Sequence, residues 1–117
     1  MQIVELAKDD IQVLCLKGKL DSMAVPAVEK AIQDALQRSS LRVLLDLSGV
    51  DFISSAGLRV VLASARQLAK RSGVLACCAA TPAVARVFEL AGLGFGLSIY
   101  DSEQDALTAL AADRPSA

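Results

Sequence analysis

Five segments of the chain either alternate apolar with polar residues or form short apolar runs, and this pattern predicts five β-strands. The first two segments are separated by Lys8-Asp9-Asp10, whose residue types favour a turn, so we expect a hairpin. The third segment is almost continuously apolar, which is typical of a central parallel strand that is covered on both faces. The predicted strands cover residues 3–6, 11–18, 42–47, 74–79 and Leu97–Tyr100.

Between and after these strands, apolar residues recur at spacings of three and four, which predicts four amphipathic helices. Asp21 or Ser22 is a candidate N-cap of the first helix, and Thr81 followed by Pro82 opens the third. The predicted helices cover residues 23–38, 56–70, 82–91 and 103–111, and the first three end at Ser39-Ser40, Ser72-Gly73 and Gly92.

The predicted order of elements is therefore β-β-α-β-α-β-α-β-α. Alternating strands and helices predict an α/β fold whose central sheet is mixed or mostly parallel and begins with a β-hairpin. With 117 residues, the chain is long enough to bury one core and too short for two. We therefore predict a single domain over residues 1–112, followed by a frayed tail over residues 113–117.

The composition indicates an aliphatic core, since 54% of the residues are hydrophobic and only 3% are aromatic. Charged residues and glycines interrupt each apolar stretch before it reaches the ~20 residues that a membrane-spanning helix needs. Lys8 comes too early for an apolar export segment. We therefore expect no membrane span, no secretory signal and a cytoplasmic location.

Charge and residue types exclude several classes of function. The formal net charge is −1 and the basic residues are scattered, so direct binding of nucleic acid is not predicted. The chain has no histidine, which removes Ser–His triads and the commonest metal ligand. Cys15, Cys77 and Cys78 are expected to be reduced thiols, with at least one of the adjacent pair packed in the core.

Two other patterns have both a functional and a structural interpretation. The glycine-rich segment over residues 92–96 follows a helix and precedes a strand, the reverse of a dinucleotide-binding loop, so a flexible connector is favoured. Asp21, Asp46 and Asp51 lack the spacing of metal ligands, and neither a metal nor another cofactor is predicted. Asp21 and the predicted loop over residues 48–55 both follow strands, so we expect them to meet at one edge of the sheet.

The adjacent serines Ser54 and Ser55 are the leading candidates for functional chemistry because they open a helix directly after an apolar strand. They are interpreted as a helix cap, as a nucleophile, or as a site that carries a phosphate near the positive end of the helix. A nucleophile needs a base, and the segment over residues 53–57 lacks the first glycine of a G-x-S-x-G elbow. A kinase would supply the chemistry of phosphorylation itself. The protein is therefore predicted not to be an enzyme.

Several motifs occur in one order along nearly the whole chain. They are Gly18-Lys19-Leu20-Asp21, the apolar run over residues 43–47, the segment over residues 51–58 and the segment over residues 81–93. Together they resemble the STAS domain family, and specifically the bacterial anti-sigma factor antagonists. This resemblance implies a STAS-like α/β fold and a protein that acts through binding.

The resemblance also implies a phosphorylation switch. An unphosphorylated antagonist of this kind binds an anti-sigma factor that is also a serine kinase and so releases the sigma factor; phosphorylation blocks binding, and a phosphatase restores it. Aligned on Gly57-Leu58, the implied phosphorylation site is Ser55, and Ser54, which stands where the family often has Asp, is the second candidate. The implied partner-binding residues are Asp21, Ser54, Ser55, Gly57 and Leu58.

An alternative function stays open at this point. STAS-like domains also serve as subunits of phospholipid-transport ABC complexes and of stress-signalling assemblies, in which the same surface would bind its partner constitutively. The identity of a bound ATPase would separate the two functions.

Overall fold

The structure is a computed structural model that describes residues 1–38, 41–91 and 97–112. The predictions for Ser39-Ser40, for the connector over residues 92–96 and for the tail over residues 113–117 lie outside these ranges. The described residues form the predicted succession of elements: β1 (Gln2–Lys8), β2 (Ile11–Leu20), α1 (Val25–Gln37), β3 (Arg42–Ile53), α2 (Ser55–Lys70), β4 (Val74–Cys78), α3 (Pro82–Leu90), β5 (Leu97–Tyr100) and α4 (Glu103–Ala112).

The strands form one sheet in the order β1-β2-β3-β4-β5. β1 and β2 are antiparallel and are joined by a two-residue turn, in which Asp9 has a positive φ of 58°. The other neighbouring strands are parallel. The prediction of a mixed sheet that begins with a hairpin is confirmed.

Three helices cover one face of the sheet. Apolar residues of α1, α2 and α3, among them Val28, Val61 and Phe88, pack against inward-facing strand residues such as Leu14 and Leu45. This cluster is the larger of the two cores and is built almost entirely from aliphatic side chains, as the composition predicts.

The helix α4 covers the opposite face. Its buried residues Ala106 and Leu110 pack against Val13, Leu44 and Ala76 of three neighbouring strands. Among the described residues, none of the helices has the length and apolar character that crossing a membrane requires.

The adjacent cysteines of β4 are both buried and face opposite sides of the sheet. Cys77 belongs to the core under α1, α2 and α3, and Cys78 to the core under α4. Burial raises the pKa of both thiols, that of Cys78 to about 12. The prediction that this pair includes core packing is confirmed.

The prediction that the third strand ends at residue 47 is wrong, because β3 continues to Ile53. β3 stays paired with β2 as far as Leu20 opposite Ile53, and at two irregularities in the register it contains an extra residue. Asp46 therefore lies within β3 and not at its end, and its Oδ1 accepts a hydrogen bond from the Ser48 N–H at 2.9 Å.

The predicted cap of α1 is also wrong, and that of α3 is right in position but not in the bond that its side chain makes. The N-cap of α1 is Ala24, while Asp21 Oδ1 accepts hydrogen bonds from the backbone N–H groups of Met23 (3.1 Å) and Ala24 (3.3 Å) and so stabilises the preceding turn. Thr81 is the N-cap residue of α3, but its side chain makes no cap hydrogen bond. Its Oγ1 donates instead to the carbonyl oxygen of Val50, at 3.0 Å.

Candidate functional site

Ser54 is the N-cap of α2. Its backbone is extended, with φ −93° and ψ 174°, and its Oγ accepts a hydrogen bond from the Gly57 N–H at 3.2 Å. The side chain is only half-exposed. This hydroxyl is therefore committed to holding the first turn of the helix.

Ser55 is the first residue of α2, and its side chain is exposed. Within the described part of the chain, its hydroxyl has no hydrogen-bond partner. α2 has 16 residues and no acidic residue in its first turn, so no side chain of that turn offsets the partial positive charge of the helix N-terminus. Of the two predicted serines, Ser55 is the exposed one, and its hydroxyl takes no part in the cap of α2.

The start of α2 is fixed against the end of β2. The Ser54 N–H donates to the carbonyl oxygen of Leu20 at 3.0 Å. Gly57 is buried against the same residue, since a Cβ at this position would lie 2.1 Å from the Leu20 carbonyl oxygen. Only glycine permits this close approach, which places Asp21, the next residue of the chain, beside the serines.

The structure thus brings the predicted site residues to one edge of the sheet, although they are not equally accessible. Asp21 and Ser54 are half-exposed and Ser55 is exposed. Gly57 is buried, and the half-buried Leu58 packs against the core under α2. That the surface formed by these residues binds a partner stays a prediction.

Two apolar side chains at this edge were missed by the sequence reasoning. Met23 follows the Asp21 turn and is 87% exposed, while Phe52, in the last part of β3, is 48% exposed. Phe52 lies opposite Lys19 in the register of β2 and β3. The signal for Phe52 was its rarity, because it is one of few aromatic residues and precedes the serines by two positions.

A groove of about 290 Å³ begins beside the serines and runs between α1 and α2. Ala56 lines its start, and Glu29 of α1 and Arg59 of α2 line its sides. At its far end the two helices are linked by a hydrogen bond from Gln33 Nε2 to Gln67 Oε1, at 3.0 Å. The groove next to the serines is therefore lined by apolar, acidic and basic side chains.

The chemistry available at this edge is that of an acceptor. The chain has no histidine to activate Ser55 as a nucleophile. Among the described residues, no group of three or more Cys, Asp or Glu side chains is placed to hold a metal ion. What the geometry offers is an exposed hydroxyl that another protein's kinase activity could phosphorylate.

The sequence and fold were compared with those of known proteins. The family profile of the STAS domain matches residues 3–106. BtrV of Bordetella bronchiseptica, assigned provisionally as an anti-sigma factor antagonist, is 40% identical over 92 residues, which are 79% of this chain and 77% of BtrV. The anti-sigma F factor antagonist of Paenibacillus polymyxa is 32% identical over 101 residues, which are 86% of each protein.

A solved structure has the same fold. The crystal structure of an anti-sigma factor antagonist from Mycobacterium paratuberculosis superimposes with a TM-score of 0.84 and 32% identity, covering 94% of this chain and 93% of that one. The profile match runs from the second residue of β1 into the first turn of α4, and therefore includes all five strands and the site at the edge of the sheet. The chain belongs to the STAS domain family.

Proposed function

We propose that this protein is an anti-sigma factor antagonist of the cytoplasm. When unphosphorylated, it binds an anti-sigma factor through the surface around Ser55 and so releases a sigma factor. The bound anti-sigma factor is also a serine kinase that phosphorylates Ser55, and a phosphatase reverses the modification. The protein acts through binding and is not itself an enzyme.

One observation carries this proposal: Ser55 is exposed at the first position of α2. It lies there in a chain of the STAS domain family whose relatives include anti-sigma factor antagonists. The neighbouring Ser54 is engaged as the helix cap, which leaves Ser55 as the acceptor. The names of the relatives support the class of partner, and the exposure of Ser55 supports its choice as the phosphorylation site.

Phosphorylation of Ser55 would be tolerated by the protein itself. A phosphoserine carries roughly −1.5 to −2 charge at neutral pH and three acceptor oxygens. At the N-terminus of α2 this charge is stabilised by the helix dipole and by the backbone N–H groups of the first turn, which have no partner within the helix. We therefore expect the phosphorylated protein to keep its fold.

The same group would oppose binding. A partner that covers this surface, including the exposed apolar residues Met23 and Phe52, must also remove water from the phosphate on Ser55. Asp21 adds a carboxylate beside it, because Leu20 contacts both Ser54 and Gly57. The phosphate therefore makes the surface incompatible with the partner without a change of conformation. In this account Gly57 positions the site and does not itself touch the partner.

The proposal is tested by incubating the protein with ATP and each anti-sigma factor serine kinase encoded by the source organism, and mapping phosphate by mass spectrometry. We expect phosphate on Ser55 in the wild type and in Ser54→Ala, and none on this turn in Ser55→Ala. Phosphate on Ser54 alone, or no phosphate together with undiminished partner binding by Ser55→Asp, would refute the proposal.

Co-purification from the native cell addresses the class of partner. An ATPase of the serine-kinase type is the expected companion. Recovery of an ABC transporter ATPase instead, bound equally by wild type and Ser55→Asp, would show that the domain is a constitutive subunit.

A further inference from the structure

Among the residues that the structure describes, the strand β1 forms one edge of the sheet and is paired only on its inner side, with β2. It has seven residues, contains no proline and keeps an unbroken register from Gln2 opposite Lys17 to Lys8 opposite Ile11. A long, regular edge of this kind presents a row of unpaired backbone groups to any second strand. The other edge strand, β5, has only four residues.

The charges that would normally protect such an edge are already engaged within the chain. Arg38 Nη1 lies 3.2 Å from Glu5 Oε2, and Lys8 Nζ lies 2.6 Å from Glu103 Oε1. Two of the remaining exposed side chains are large and apolar: Val4 is 56% exposed and Leu6 is 42% exposed, and both lie on the α4 side of the sheet. An edge strand with paired charges and exposed apolar side chains favours pairing with a strand of another chain.

From these observations we propose that β1 pairs with β1 of a second copy of this chain, forming an antiparallel two-fold dimer with a continuous ten-stranded sheet. A two-fold axis through Glu5 places Val4 of each copy opposite Leu6 of the other, so four apolar side chains form one cluster. It also places the uncharged Gln2 opposite Lys8, so the like charges that meet in this register are the two Glu5 carboxylates.

The side chains of β1 decide in which register the two copies of this strand pair. A shift that centres the pairing on Leu6 would set Val4 against the charged Lys8, and one that centres it on Val4 would set Leu6 against Gln2. Centring on Glu5 brings the two Glu5 carboxylates together, but each has its own Arg38 beside it on the α1 side of the sheet. Only this register matches both apolar residues with apolar partners.

The occupant is a second copy because the edge is complementary to itself under a two-fold rotation. A strand of about 23 Å makes a small interface, so we expect a dimer that forms only at high protein concentration. The antiparallel arrangement points the two Ser55 edges in opposite directions and leaves both accessible. The proposal therefore does not depend on the function of Ser55.

Sedimentation equilibrium from micromolar to millimolar concentration tests the dimer. The mass of the wild type is expected to rise from 12.2 kDa towards twice that value. Leu6→Lys and, independently, Val4→Lys should keep the mass of one chain, whereas Leu90→Lys, at an exposed apolar site on α3, should associate like the wild type. Circular dichroism verifies that each variant is folded.

The register is tested by oxidative cross-linking of Glu5→Cys in a Cys15→Ser background, with Ile99→Cys on β5 as the matched control. We expect a disulfide-linked dimer through position 5 and none through position 99, because only the former pair faces itself across the axis. A constant mass of one chain at all concentrations, association that Leu6→Lys does not reduce, or cross-linking through position 99 but not 5 would overturn the proposal; the edge would then be open to a strand of another protein.

Discussion

At the scale of single residues, the two serines at the start of α2 differ in what their hydroxyls do. Ser54 caps the helix by accepting from the Gly57 N–H, while Ser55 is exposed. The sequence placed both residues at a helix start but could not assign the cap, because either serine satisfies the local pattern. The structure assigns the cap because β3 extends to Ile53 and α2 begins at Ser55. Ser54 is therefore the residue between the strand and the helix, which is the position of an N-cap.

Replacing Ser54 should therefore affect stability, and replacing Ser55 should not. Ser54→Ala removes the cap hydrogen bond and is expected to lower the free energy of unfolding by about 1 kcal/mol. Ser55→Ala removes an exposed hydroxyl and should change it by less than about 0.5 kcal/mol. Urea denaturation measures both; an equal loss for the two variants would contradict the assignment of the cap.

Replacing Gly57 is a second test of the site geometry, because the expected change in stability is opposite to the one that helix propensity alone predicts. Within a helix, Gly→Ala is ordinarily stabilising by up to about 1 kcal/mol. Here the added Cβ would lie 2.1 Å from the Leu20 carbonyl oxygen, so that backbone must shift. We expect Gly57→Ala to destabilise the protein by about 2 kcal/mol in urea denaturation. A gain in stability would show that β2 and α2 are not in close contact.

At the scale of elements, the positions of most strands and helices could be predicted because each has its own hydrophobic period. The end of β3 could not, because Ser48 and Gly49 are residues that locally favour a turn. Their strand conformation depends on pairing with β2, where Gly49 packs against Leu16 and Lys17. Likewise, Thr81 is the N-cap residue of α3, as the sequence predicts, yet its hydroxyl donates to the carbonyl oxygen of Val50 in β3 and not to the helix.

The buried thiols of β4 make stability depend on pH in the alkaline range. Burial raises the pKa of Cys78 from 9.0 to about 12, so the folded state keeps a proton that the unfolded state loses. Below pH 9 the thiol is protonated in both states and the free energy of unfolding does not depend on it. As the pH rises from 9 towards 12, the free energy of unfolding falls by up to about 1.4 kcal/mol per pH unit for each such thiol.

Cys78→Ala should therefore flatten this dependence. Urea denaturation of the wild type and the variant under reducing conditions, at several pH values from 8 to 11, measures the two slopes. The variant is expected to be less stable at neutral pH, because it leaves a small cavity, and to lose less stability per pH unit. Parallel slopes would contradict the inferred protonation of Cys78.

At the scale of the whole molecule, Arg42 joins parts of the chain that are distant in sequence. It is only 4% exposed, its guanidinium contacts Asp10 in the hairpin turn, and its Nη1 donates to the carbonyl oxygen of Leu110 in α4 at 2.5 Å. In the sequence it is simply the polar start of an apolar strand. Arg42 can link the hairpin turn to α4 only because α4 packs on this face of the sheet, and the sequence around Arg42 does not indicate that packing.

Arg42→Met keeps the volume of the side chain but removes both contacts. We expect the free energy of unfolding to fall by about 2 kcal/mol, as for other hydrogen bonds to charged groups. The matched control is Arg38→Met, whose exposed pair with Glu5 should contribute less than about 1 kcal/mol. Similar losses for the two variants would show that α4 is not fastened through Arg42.

The fold and the proposed switch are linked at this scale, since the sheet edge that displays Ser55 is assembled from β2, β3 and the first turns of α1 and α2. The sequence predicted that Asp21 and the serines would meet there, because both follow strands of one sheet. It could not predict that Met23 and Phe52 are exposed beside them, because exposure depends on which surfaces the other helices leave uncovered.

The central claim is that phosphorylation of Ser55 alone controls binding of the anti-sigma factor. The most direct measurement is isothermal titration calorimetry of the anti-sigma factor kinase with unphosphorylated protein and with protein that is fully phosphorylated on Ser55. The account predicts that phosphorylation weakens binding at least about tenfold, which is about 1.4 kcal/mol, with the circular dichroism spectrum unchanged. Equal affinity of the two forms would contradict it.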